Sequence, residues 1–256
     1  HEPLDVTADM RKGWEDVEFP APYGRHCDDA ELQQRIRQNY AAMIQLIDDW
    51  VGKLLEILRE TGAIDTTIIA FASDHGEMLG DYDMWGKSVP FEPSLHVPLI
   101  INGPMVNSPG RTVTSPVSLL DVAATFLDYA DCQVPLNDDG ISLRPAIEQA
   151  APHARKYGYS GLGNWRAVTN GRFKLVAGYR TDVVLSDTQF EIFDEASIET
   201  AKLFDQVNDP WDSTDVSHLH PDIMDRLKSA MKQESQKPVF TKLDDNIIKH
   251  ERTPSC

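Results

Sequence analysis

Cysteine is scarce. Cys27, Cys132 and Cys256 are the only three in the chain, too few and too scattered for a disulfide framework or a cysteine-based zinc site. Three unbridged thiols is the plainer reading, with one disulfide as the alternative. Long apolar runs are missing too, so no segment reads as a transmembrane helix. The first ten residues are polar and acidic and lack the apolar stretch of a secretory leader. The chain opens on His1 rather than on methionine, and reads as a fragment or a processed product. Basic residues are outnumbered, 24 Lys and Arg against 41 Asp and Glu, for a net charge of −17. That balance argues against general binding to nucleic acid or an anionic membrane, which would repel it. It leaves room for a local basic pocket for an anion. The remainder is ordinary: 256 residues, 41% hydrophobic, enough for one large domain or a domain with a smaller companion.

Residues 1–29 carry Pro3, Pro20 and Pro22 without periodicity and read as an irregular surface segment, with Asp28 or Asp29 placed to cap the next element. Leu32, Ile36, Tyr40, Met43, Ile44, Ile47, Val51, Leu54, Leu55 and Leu58 then recur at spacings of three and four. This predicts one long amphipathic helix over 30–61 with a core-facing stripe, stopped by Gly62. A buried strand is expected over 67–72, a loop over 90–93, and a second buried strand over 97–102 closed by Gly103-Pro104. A helix is expected over 118–129. Helix alternating with strand indicates an α/β layer architecture. The character changes near residue 150. Two short apolar runs flank Asn170-Gly171, the strongest short hairpin signal. Further short strands are expected at 190–193 and 203–204, a helix over 220–235, and a polar tail over 236–256. The expected division is 1–150 and 151–256, the second part a small α+β subdomain.

The most informative stretch is Ser73-Asp74-His75-Gly76, directly after the strand at 67–72. Ligands in open α/β sheets sit just beyond the carboxyl ends of strands. Asp supplies a hard oxygen and His a nitrogen, both suited to a divalent metal. The plainer reading is a turn cap beside a hydrogen-bonded histidine. Lys87 stands thirteen residues after Asp74, and a cation there suits a phosphate or sulfate oxygen. Glu77, Asp81 and Asp83 crowd the same loop as outer partners for a metal. His96 and His1 are candidate general acids, though an isolated histidine is most often ordinary.

These residues together carry a resemblance. Ser73 to Asp81, then Trp85-Gly86-Lys87 and Val97-Pro98-Leu99-Ile100, resemble the sulfatase family of the alkaline phosphatase superfamily. Residues 40–58 are similar to the family's long helix before the motif. Residues 118–125 resemble a further family segment, with Ala124 where proline is common. Trp165-Arg166-Ala167-Val168 and Gly171-Arg172-Phe173-Lys174-Leu175 resemble the C-terminal hairpin. Leu203-Phe204-Asp205 with Asn208-Asp209-Pro210 resembles the segment after it. His1-Glu2-Pro3 resembles the segment holding a substrate-binding histidine.

The resemblance implies part of an alkaline-phosphatase-like α/β sandwich plus a small C-terminal α+β subdomain with a short antiparallel sheet. It implies hydrolysis of a sulfate ester to an alcohol and inorganic sulfate, with Asp74 and His75 as metal ligands and Ca2+ the usual metal. His75 stands where many members have asparagine, which brings Mn2+ or another transition metal into question. Lys87 would bind a sulfate oxygen and the bridging ester oxygen. His1 would contact the sulfate and protonate the leaving alcohol. His96, where members carry histidine or arginine, would be substrate-binding. Tyr82 stands where many relatives have histidine. The family's formylglycine nucleophile arises in a Cys/Ser-x-Pro/Ala-x-Arg signature, which none of the three cysteines occupies. That signature and a first pair of metal-binding aspartates belong to the half expected before His1. The missing half is thus the expected partner, and this chain alone is expected to be inactive. By resemblance the setting is periplasmic, secreted or lysosomal. Two other readings stand beside this one: a phosphodiesterase or phosphonate monoester hydrolase of the same superfamily, and a non-catalytic relic or interaction protein.

Overall fold

A computed structural model of the chain describes residues 6–24, 29–107, 109–132, 139–180 and 192–237. A one-turn helix, α1 (Ala8–Arg11), is capped by the Thr7 hydroxyl. The long helix α2 (Ala30–Glu60) starts at Asp29, whose carboxylate accepts the Leu32 N–H at 2.9 Å. It ends before Gly62, which adopts φ 70°. Residues 14–24 are strapped along its first half. Gln34 bonds both ways with the Phe19 backbone, Gln38 donates to the carbonyls of Glu15 and Val17, and Arg37 donates to Pro20.

The predicted core-facing stripe is only half realised. Of its residues, Ile36 is buried and Tyr40, Met43, Val51, Leu55 and Leu58 are half-buried, while Leu32, Ile44, Ile47 and Leu54 are exposed. The two expected buried strands, β1 (Ile69–Ala72) and β2 (Leu99–Asn102), likewise form but are not buried on both faces. They pair antiparallel with each other, Phe71 opposite Ile100, as a two-stranded sheet. On one face Phe71, Ile100 and Asn102 are exposed and Ile69 is half-buried. A mixed α/β fold is present, with small antiparallel sheets. Glu92 and Pro93, expected in a loop, open the single turn α3 (Glu92–Leu95), with Pro93 in its first turn. Helix α4 (Leu120–Tyr129) and the short α5 (Arg144–Glu148) come after it.

A four-stranded antiparallel sheet is next, in the order β3 (Gly158–Leu162), β4 (Trp165–Thr169), β5 (Phe173–Ala177), β6 (Lys202–Asp205). The Asn170-Gly171 hairpin turns as predicted. The Asn170 carboxamide accepts the Arg172 and Phe173 N–H groups, and Gly171 takes φ 93°. Helix α6 (Pro221–Ser235) lays Leu227, Ala230 and Met231 on Val168, Phe173, Leu175 and Leu203, forming the main core. Of the strand expected at 190–193, the first half lies outside the described residues and Ile192-Phe193 is not strand. The tail beyond Lys237 also lies outside them. Cys132 is a free, exposed thiol, while Cys27 and Cys256 lie outside the described residues.

Candidate active site

The chain leaves β1 at Ala72 and turns at once. The Ser73 hydroxyl donates to the His75 carbonyl at 2.8 Å, and Asp74 Oδ1 accepts the His75 N–H at 3.0 Å. His75 Nδ1 lies 2.9 Å from the Gly76 carbonyl oxygen. A carbonyl can only accept, so Nδ1 carries the proton. In the neutral ring the other nitrogen, Nε2, is then a lone pair facing Asp74 Oδ2 at 3.5 Å. Two facing lone pairs are relieved by a shared cation, a proton or a metal ion. Orientation of a metal-binding imidazole by an N–H bond to a carbonyl is a common arrangement. Asp74 is exposed, so both donors are accessible. One oxygen and one nitrogen suit part of a divalent metal's coordination shell. Among the described residues no third His, Cys, Asp or Glu joins them.

Gly76 is needed for close approach. Its N–H donates to the Ser94 carbonyl in α3 at 2.9 Å, and a Cβ here would fall 1.9 Å from the Pro93 carbonyl oxygen. The Asp74-His75 turn is thereby bolted to α3.

Lys87 is carried by a loop drawn back onto the same turn. Glu77 Oε1 accepts the Gly86 N–H at 2.5 Å, and Met78 N–H donates to the Gly86 carbonyl at 2.8 Å. Leu79, Tyr82, Asp83 and Ser88 all have positive φ, a strained arrangement that recurs at functional loops. Trp165 of β4 pins the loop's far end by donating to the Ser88 carbonyl at 3.0 Å. Lys87 itself is exposed, and no described residue bonds its ammonium. Two of the three acidic residues expected around a metal have other partners. Glu77 holds the loop closed. Asp81 is buried and accepts the Tyr23 N–H at 2.8 Å and the Arg37 guanidinium at 3.1 Å. Tyr82 donates to the Trp211 carbonyl at 2.6 Å and stacks on Phe91, and burial pushes its phenol pKa up.

His96 stands at the end of α3, exposed, with Nδ1 3.1 Å from Glu92 Oε2. That hydrogen bond raises the imidazole pKa against the lowering effect of burial. Behind it is a cluster that sequence reasoning missed. Lys174, buried in β5, lies 2.8 Å from Glu92 and 2.5 Å from Asp212. Asp212 also accepts the Glu92 N–H at 3.1 Å, and Gln206 donates to Glu92. Burial alone would raise the Glu92 pKa, but the bond from His96 and the Lys174 ammonium outweigh it and bring it to about 2. Burial pushes Asp212 up to about 6, with Lys174 only partly opposing. The one signal in the sequence is a lysine inside an apolar hairpin strand. His1 lies outside the described residues, so the structure brings together Asp74 and His75, tethers Lys87 and His96 through the same loop and helix, and leaves His1 apart.

The whole arrangement has counterparts. The sulfatase profile matches residues 8–132, and that of the N-sulphoglucosamine sulphohydrolase C-terminal region matches residues 80–237. The chain belongs to the sulfatase family. Arylsulfatase K of Xenopus laevis is 28% identical over 84% of this chain and 40% of its own length. The choline-sulfatase of Rhizobium meliloti (strain 1021) is 38% identical over 57% of this chain and 30% of its own. Phosphonate monoester hydrolase from Silicibacter pomeroyi superposes with a TM-score of 0.66 and 27% identity, over 84% of this chain and 43% of that one. This sulfatase chain therefore spans well under half the length of these relatives.

Proposed function

We propose that this chain forms one wall of a sulfatase active site, which hydrolyses a sulfate ester to an alcohol and inorganic sulfate. The observation that carries the reading is the delivery of Asp74 and His75 past the end of β1, with the exposed Lys87 tied back to that turn, in a chain of the sulfatase family. Asp74 Oδ2 and His75 Nε2 would hold a divalent metal, Ca2+ or Mn2+, which supplies Lewis-acid polarisation of a sulfuryl oxygen when bound. Lys87 binds a sulfate oxygen and the bridging oxygen, stabilising charge that develops as the ester bond breaks. His96, its charged form favoured by Glu92, adds positive charge at the rim. His1 is assigned the proton of the leaving alcohol. The formylglycine nucleophile comes from the remaining portion of the fold, so this chain by itself is inactive.

The test is turnover of an aryl sulfate by a complete protein containing this chain, with and without Lys87→Ala. Loss of one such positive charge lowers kcat about 10²- to 10³-fold. Wild-type-like turnover by the variant would remove Lys87 from the mechanism. A second reading has a specific observation behind it, the superposition on a phosphonate monoester hydrolase. A clear preference for an aryl phosphodiester or phosphonate monoester over the aryl sulfate would replace the first reading with the second.

A further inference from the structure

His96 is held beside the Asp74-His75 turn. Ala72 of β1 pairs with Leu99 of β2, and the Gly76 N–H bonds the Ser94 carbonyl. Residues 73–75 and 96–98 run between these two contacts. The two histidines are presented in the same way. His75 has Nδ1 on the Gly76 carbonyl, and His96 has Nδ1 on Glu92 Oε2 at 3.1 Å. An ionised carboxylate only accepts, so Nδ1 of His96 carries a proton whether the ring is neutral or charged. Nε2 is left on the far edge of the ring, and the side chain is 79% exposed.

Left to itself such a pair would not hold. Glu92 and His96 stand four residues apart at the two ends of the one-turn α3, and exposed pairs of that spacing are weak. Here the small sheet grips Glu92. Its Oε1 accepts from Lys174 Nζ at 2.8 Å and from the Gln206 carboxamide, and its N–H donates to Asp212 Oδ2 at 3.1 Å. Lys174 is buried and bonds the same Asp212 oxygen. Gln206 is fixed in turn by Thr169 of β4, whose hydroxyl donates to its carboxamide oxygen at 3.0 Å. A lysine buried between two carboxylates is a poor source of stability, because apolar side chains of equal volume often serve as well or better. What the cluster fixes is the place of one carboxylate oxygen, the one that meets His96.

We propose that Glu92 is the positioning residue of His96, held for that task by Lys174 and Gln206, and that it turns His96 Nε2 outward to meet the anionic substrate. His96 makes the contact, and the other three act through it. The role of His96 rests on the sulfatase reading of this site, whereas the orientation of its ring does not.

Two measurements test this. In the 256-residue chain, long-range proton–nitrogen correlation spectra, taken at a pH where the ring is neutral, report which imidazole nitrogen carries the proton. The expected result is the Nδ1–H tautomer for His96. In Glu92→Gln, Lys174 takes the carboxamide oxygen and the NH2 group faces Nδ1, which must then accept. The tautomer should change to Nε2–H in a chain still folded by circular dichroism. An Nε2–H tautomer in wild type, or no change in the variant, overturns the proposal. The second measurement is aryl sulfate turnover by a complete protein containing this chain, with His96→Ala, Glu92→Gln and both together. Each single variant should raise KM about tenfold and keep kcat within about twofold, the pattern of a lost substrate contact. The double variant should be no worse than His96→Ala. Gln206→Ala, which keeps every charge of the cluster, should raise KM about threefold in wild type and not at all in His96→Ala. An effect of Glu92→Gln or Gln206→Ala that persists in full without His96 would make the cluster a joint between helix and sheet only, and overturns the proposal. The expected tautomers in a protein that turns over no sulfate ester would overturn the sulfatase reading and leave the positioning of the ring standing.

Discussion

Gly76 shows how little space separates the candidate site from its support. Its Cβ position is filled by the Pro93 carbonyl, while its N–H bonds Ser94. In Gly76→Ala, α3 must move away or the bond must break. We expect a loss of about 1–3 kcal/mol, the usual effect of forcing a methyl into packed space, read from the urea midpoint. Lys174 is the second such residue. Among the described residues it is the one cation that Glu92 and Asp212 share by direct ion pairing, and Asp212 Oδ1 already lacks a partner. Lys174→Ala leaves two carboxylates in a poorly solvated place and should cost about 3–5 kcal/mol. Lys174→Met, which refills the volume, does not restore the charge and should remain well below wild type. A Lys174→Ala protein as stable as wild type would show that the cluster is decorative. The difference in legibility is physical. Asp74 and His75 adjoin in sequence and come directly after a strand, so their meeting can be read along the chain. Lys174 meets Glu92 across 82 residues and Asp212 across 38, and no local pattern announces such pairs.

At the scale of elements, legibility depends on period and length. Helix α2 shows through because its apolar residues keep a helical spacing over many turns, and β4 and β5 because Asn170-Gly171 separates them. The turn is testable. Gly171 has φ 93°, and its Cβ in Gly171→Ala would lie 3.3 Å from the Thr114 carbonyl. A non-glycine residue held there should cost about 1–3 kcal/mol, measured by thermal unfolding. An unchanged melting temperature would mean that the turn relaxes to another type. Elements of one turn do not show: α1, α3 and α5 are too short for periodicity to register. Strand β3 is not among the expected elements, and its Gly158 and Gly161 weaken a strand signal. The expected burial of α2 and of the β1–β2 pair fails for one reason. An apolar run of period two or 3.6 predicts a face that seeks cover, not the element that supplies it. Ile44, Ile47 and Leu54 of α2 and Phe71 and Ile100 of β1–β2 remain exposed.

For the molecule as a whole, the Lys174 cluster joins the sheet of β3–β6 to the helix that carries His96, and its titration should be visible in global stability. Glu92 has a folded pKa of about 2 against an ordinary value of 4.5. A lowered carboxylate pKa means that the folded state binds its proton less tightly than the unfolded chain. Its contribution is full above pH 4.5 and is lost as pH falls towards 2. Asp205, held at about 2 by Arg172, acts in the same direction. Asp212 works the opposite way. Its folded pKa of about 6 against 3.8 means that the folded state gains on protonation, so Asp212 favours folding as pH falls from about 6 to about 4. Denaturant unfolding from about pH 7 to about pH 2.5 should therefore show stability held up to the middle of the range, then a steep loss below about pH 4.5. Glu92→Gln should remove a contribution on the order of 3 kcal/mol at about pH 7, by the conversion of pKa difference to free energy, and converge on wild type near pH 2. Asp212→Asn should flatten the curve between about pH 6 and about pH 4 and leave the acid limb in place. If both variants instead ran parallel to wild type over the whole range, the cluster would not be the titrating joint between sheet and helix.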